Sequence, residues 1–101
     1  EKFEIFEQLN LLHLKDDLKN NGYVTIRFLV NCEGKTGLFR IQEMNEKYEK
    51  TKFSSKFIKS ILDFTKGLKG WKQKKTNESF VDYYQYLTFK IVDGKIAEIL
   101  P

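Results

Sequence analysis

Residues 23–30 read Tyr-Val-Thr-Ile-Arg-Phe-Leu-Val. Successive side chains of a strand point to opposite faces, so Val24, Ile26, Phe28 and Val30 share one face and Tyr23, Thr25, Arg27 and Leu29 the other. A helix would scatter that apolar set around its axis, so the segment must be a strand covered on one side. Asn31-Cys32-Glu33-Gly34 has turn composition, and residues 35–44 form the expected return strand, with Phe39 and Ile41 facing the same layer.

Two helices are expected to cover this hairpin. Over residues 3–20 apolar side chains recur at helical spacing on two stripes, Ile5, Leu9 and Leu12 against Leu11, Leu14 and Leu18, before Asn20-Asn21-Gly22 stops the run. Residues 45–52 are polar and read as a connecting loop. Ser54 or Ser55 is then expected to cap a second helix through its hydroxyl. Phe57, Ile58, Ile61, Leu62, Phe64, Thr65 and Leu68 line one side of it, and Lys56, Lys59, Ser60, Asp63 and Lys66 the other. Gly67 and Gly70 end it, Trp71 follows, and residues 72–79 read as a loop without an element.

Residues 80–92 read as one long strand, with Leu87, Phe89 and Ile91 facing the core and Tyr84, Tyr86, Thr88 and Lys90 facing away. Asp93-Gly94 signals a two-residue hairpin, which folds residues 95–100 back as a last strand. The expected order is α-β-β-α-β-β. It implies an α+β two-layer sandwich, an antiparallel sheet of three to four strands with two helices on one face, as a single domain over residues 1–101.

Composition narrows the function. Hydrophobic residues at 41% and charged residues at 32% fit a packed domain with a polar surface. No apolar run approaches the roughly 20 residues of a membrane-spanning helix, so any membrane anchor is expected in a segment outside this chain. The net charge of +4 gathers at Lys66, Lys69, Lys72, Lys74 and Lys75; a solvated helix end is the simpler reading, a nucleic-acid or lipid patch the alternative. Cys32 is the single cysteine and His13 the single histidine. Asp16 and Asp17 are adjacent and would point to different sides of a helix. No motif for metal, cofactor or nucleophile emerges, so a non-enzymatic role is expected.

The stretch from Gly22 to Asn31 followed by Gly34-Lys35 resembles the opening hairpin of TonB C-terminal domains. Phe39 and Ile41, Phe53-Ser54 at the place of that family's Leu-Asp helix start, Leu68-Lys69-Gly70-Trp71 at its Leu-x-x-Trp, and residues 86–91 follow in the same order. The family commonly has a proline shortly after the tryptophan; Trp71-Lys72-Gln73-Lys74-Lys75 has none. The resemblance implies a periplasmic interaction domain that binds an extended segment of a TonB-dependent outer-membrane receptor or envelope protein. In that family the segment adds as a strand beside the last long strand, here residues 80–92.

Tyr83, Tyr84, Tyr86, Thr88, Lys90 and Trp71 are the candidate contacts, the tyrosines because each offers a rigid ring with a polar tip. The plainer readings are that the tyrosines only cover the sheet and that Trp71 plugs the helix end. If residues 95–100 pair with the tyrosine strand, a partner must displace them, use another edge or bind the open face. That last strand is therefore expected to be movable. A dimerisation domain is the alternative function, and a nucleic-acid-binding module a more distant one.

Overall fold

The fold is described from a computed structural model covering Ile5, residues 20–68, Trp71 and residues 73–100. The helix expected over residues 3–20 lies outside these residues except for Ile5, which is helical and buried, and Asn20, which is not helical. The first strand, β1 (Gly22–Val30), pairs antiparallel with β2 (Thr36–Asn45). The helix α1 (Ser55–Gly67) follows, then β3 (Lys74–Thr76), β4 (Ser79–Val81), β5 (Tyr83–Val92) and β6 (Lys95–Leu100). One sheet has the order β2-β1-β5-β6, and β3 and β4 form a separate two-stranded sheet.

This corrects the expected α-β-β-α-β-β sandwich with two helices. The described residues contain one full helix and six strands, 53% strand against 18% helix, so strands dominate. One cause lies in residues 72–79, which read as a loop because they lack apolar alternation. Residues 74–79 nevertheless enter a hairpin, β3 pairing with β4 through Lys74 to Val81 and Thr76 to Ser79. Asn77 and Glu78 make its turn, both at positive φ, +50° and +67°. Such a turn matches the twist of the strands it joins, even without the usual glycine. The other cause is Asp82, which divides the expected strand over residues 80–92 into β4 and β5.

Two bulges put the core in phase. Between Arg27 and Leu29 of β1, β2 carries one extra residue, since Arg27 faces Arg40 and Leu29 faces Gly37. Leu38 sits there at φ +51° and 69% exposed, and the added residue turns Phe39 and Ile41 inward. Phe39 then stacks on Phe28, ring centres 5.1 Å apart. In β6, Lys90 faces Glu98 whereas Ile91 faces Ile96, so Ala97 is extra. Ile96 and Ile99, three apart in sequence, thereby both pack against the core.

That core joins Val24, Ile26, Phe28 and Val30 of β1 to Leu87, Phe89 and Ile91 of β5 and to Phe53, Phe57 and Ile61 from the helix side. Thr65 is also buried; its hydroxyl donates to the Ile61 carbonyl at 2.9 Å, which satisfies a polar group inside α1. Ser54 occupies the N-cap position without a side-chain cap bond, and its carbonyl accepts the Ile58 N–H. At the other end the helix closes at Gly67, the first of the two glycines expected to end it, and Leu68 turns extended with its N–H on the Thr65 carbonyl; Gly70 lies outside the described residues.

Turns fix the strand ends. Asn31 Oδ1 accepts the N–H of both Glu33 and Lys35 at 2.9 Å. Asn45 Oδ1 repeats the device with Lys47 and Glu49, at 2.8 and 3.0 Å. Asp93 and Gly94, at φ +51° and +76°, form the β5–β6 turn. Asn21 Oδ1 accepts the Asp93 N–H at 2.6 Å and the Asn20 carbonyl accepts the Gly94 N–H at 3.1 Å. The residues expected to stop a helix thus also anchor the last hairpin.

Candidate binding surface on the sheet

The face of the sheet away from α1 is built from the outward set of each strand. Across β1 and β5 the register sets Tyr23 opposite Lys90, Thr25 opposite Thr88, Arg27 opposite Tyr86 and Leu29 opposite Tyr84. On β2, Met44, Gln42 and Arg40 continue the first three rows. Glu98 of β6 extends the Lys90 row, and the two are 3.8 Å apart.

Of the six residues expected to contact a partner, four come together on this face. Tyr84 and Tyr86 are 52% and 54% exposed, which is high for rings within a sheet. The Thr88 hydroxyl is 3.1 Å from that of Thr25, and Lys90 is the residue paired with Glu98. The other two lie on the opposite side. Tyr83 is opposite Val30 and packs against the core. Trp71 is half-buried, its ring edge-on to Phe28 at 5.2 Å and 60°. Its Nε1 is buried and has no acceptor among the described residues.

No family model, curated protein or solved structure matches this chain. The geometry must therefore carry the functional reading.

Three further residues join the surface. Arg27 places its Cζ 4.7 Å from the centre of the Tyr84 ring. Arg40, its cross-strand neighbour, is exposed. Tyr48 stacks on Tyr23 with centres 5.3 Å apart and planes within 7°. Hydrogen bonding with Tyr48 and then the Tyr48 charge hold the Tyr23 phenol above its ordinary range, with Glu46 and Glu98 adding to the effect. Alternation alone placed Arg27 outward; only the register shows that Arg40 and Tyr84 share its neighbourhood.

The edges of the sheet are unequal. β5 is interior, paired with β1 from Tyr83 to Ile91, but β6 pairs with it only from Thr88 to Val92. Beyond Thr88, residues 84–87 have no strand beside them on the β6 side among the described residues. Alternate residues of an antiparallel strand aim their N–H and C=O at each neighbour, so every second residue there offers both groups outward. On the far side, Lys50 bridges to Met44 and the Thr51 N–H reaches the Glu43 carbonyl at 3.3 Å, which covers one end of β2. A shallow groove of about 370 Å³ lies between Ile41–Glu43 and Lys50–Lys52. Its carboxylate, Glu43, accepts the Phe53 N–H at 2.8 Å and so anchors the chain leading into α1.

Proposed function

We propose that the chain is a non-catalytic, periplasmic protein-interaction domain of the TonB C-terminal type. It binds an extended segment of an outer-membrane receptor or another envelope protein, which adds as a strand along residues 84–87 of β5. The observation that carries this reading is that, among the described residues, β6 pairs with β5 only from Thr88 to Val92, so that no strand lies beside the exposed Tyr84 and Tyr86 on that side. Main-chain bonds supply affinity in such additions, and the side chains flanking the edge supply selectivity. The last strand fills part of the edge, and a partner either uses the remainder or displaces β6 to reach all of β5.

Titration of the isotope-labelled domain with peptides of the TonB-box type tests the reading through backbone amide shifts. Shifts concentrated at residues 84–87, spreading to 88–92 if β6 yields, are expected. No shift along β5 at about millimolar peptide would sink the proposal.

A further inference from the structure

We propose that the segment added beside residues 84–87 carries an acidic side chain on the open face, and that Arg27, seated on Tyr84, recognises it. This rests on the strand-addition reading above. Arg27 belongs to β1, between Arg40 on β2 and Tyr86 on β5. Its guanidinium leans onto β5, 4.7 Å from the centre of a Tyr84 ring that belongs to the uncovered stretch. Attraction to the ring and repulsion from Arg40, a like charge directly across the strand pair, favour the same lean. The lean brings the positive charge one strand closer to the free edge.

Neither arginine has an ion-pair partner among the described residues. The one ion pair among the described residues is Lys90 with Glu98, which occupies a different row. Arg27 and Arg40 thus face each other with no carboxylate within 4.0 Å of either among the described residues. A guanidinium stacked on a ring keeps its N–H edge available for a carboxylate. A strand added about 4.8 Å beyond β5 would set every second side chain on this face, next to Tyr84 and Tyr86. An aspartate or glutamate there meets Arg27, whereas a lysine is repelled.

Single-stranded nucleic acid also favours tyrosine and arginine, but it needs a basic track that follows a run of phosphates. On this face the Arg27–Arg40 row is separated from Lys95, which lies opposite Val92, by the neutral Thr25–Thr88 row and by Lys90 paired with Glu98, so the positive charges do not form a continuous track. A short segment with a localised negative charge fits better.

Three ten-residue peptides of alternating threonine and valine, differing only in a central aspartate, asparagine or lysine, test the proposal against the intact domain. Amide shifts at residues 84–87 report strand addition, and affinities at about 20 mM and 200 mM salt report charge. The aspartate peptide should bind about three- to fivefold tighter than the asparagine peptide at low salt, with lysine weakest and the differences shrinking at high salt. Arg27→Gln should abolish the preference of aspartate over asparagine, and Arg27→Lys should retain part of it.

Equal affinities with shifts still at residues 84–87 would overturn the acidic preference and leave strand addition standing. Absence of those shifts with every peptide would overturn both. Stronger shifts at Tyr84 and Tyr86 from a ten-nucleotide oligothymidylate than from any peptide would assign the face to nucleic acid and overturn the proposal. Arg40→Gln guards against a folding defect, because it should weaken the preference from the neighbouring strand.

Discussion

Asp82 reaches across 50 residues of sequence to accept the Cys32 N–H on its Oδ1 at 2.9 Å. The Cys32 carbonyl is taken in turn by Gln73 Nε2 at 2.8 Å. Both backbone groups of Cys32 are therefore held by side chains flanking the β3–β4 hairpin, which ties that hairpin to the β1–β2 turn.

Removing the carboxylate should loosen this tie. Asp82→Ala is expected to lower stability by about 1 kcal/mol, the usual net value of one such bond at an exposed site. Asp82→Asn keeps an acceptor and should lose less. Urea unfolding with an unchanged slope and a lower midpoint for the alanine variant alone would bear this out; identical midpoints would show the bond to be idle.

Gly22 and Gly67 should respond oppositely to alanine. A Cβ at Gly22 would collide with the Met44 carbonyl oxygen and lie 2.9 Å from Asn45 Cα, on a backbone at φ +152°. Neither neighbour can swing away, since both are backbone of β2, and a loss of about 2–4 kcal/mol is expected. At Gly67, the last residue of α1, an added Cβ meets nothing within 4 Å, so alanine should stabilise by about 0.5–1 kcal/mol through helix propensity and reduced freedom of the unfolded chain. Thermal melts of the two variants should move in opposite directions.

The Tyr23 phenol should ionise later than a free tyrosine, whose ordinary value is 10.0, chiefly because of hydrogen bonding with Tyr48 and then the Tyr48 charge. A raised value in the folded state means that the fold favours the neutral phenol. Its contribution to stability is complete below the ordinary tyrosine range and is lost as pH rises through the folded value. Phenolate absorbance should show one late-titrating tyrosine, and Tyr48→Phe should return it toward the ordinary value. An unchanged titration curve in that variant would remove Tyr48 as the cause.

β6 should open before β1. Among the described residues it pairs on one side only, carries the bulge at Ala97, and contributes Ile96 and Ile99 as half-buried contacts. β1 is paired on both sides, and its four inward side chains are fully buried. Hydrogen exchange at Lys95–Leu100 is expected to be about tenfold or more faster than at residues 24–30. Equal protection would mean that β6 belongs to the rigid core and that a partner is confined to residues 84–87.

Much of this was legible in advance where a signal was local. The alternation of residues 23–30 placed Val24, Ile26, Phe28 and Val30 inside, Asp93-Gly94 marked the last turn, and the stripe through Phe57, Ile61 and Thr65 marked α1. The candidate site was legible only in part: alternation put Tyr84, Tyr86, Thr88 and Lys90 on one face and Tyr83 on the other, but nothing local turned Trp71 toward Phe28 or brought Arg40 beside Arg27.

The amino-acid sequence by itself determined which side chains of a regular strand or helix avoid water, because that choice depends on a repeat of two or 3.6 residues and on little else. Tertiary structure decided what breaks the repeat. Leu38 and Ala97 are inserted where the core requires Phe39 and Ile99 to face inward, and Asp82 interrupts a strand because its acceptor is drawn to Cys32. It also decided which part of β5, Thr88 to Val92, pairs with β6. Each of these depends on which residues meet across strands, a relation that exists only once the register has formed.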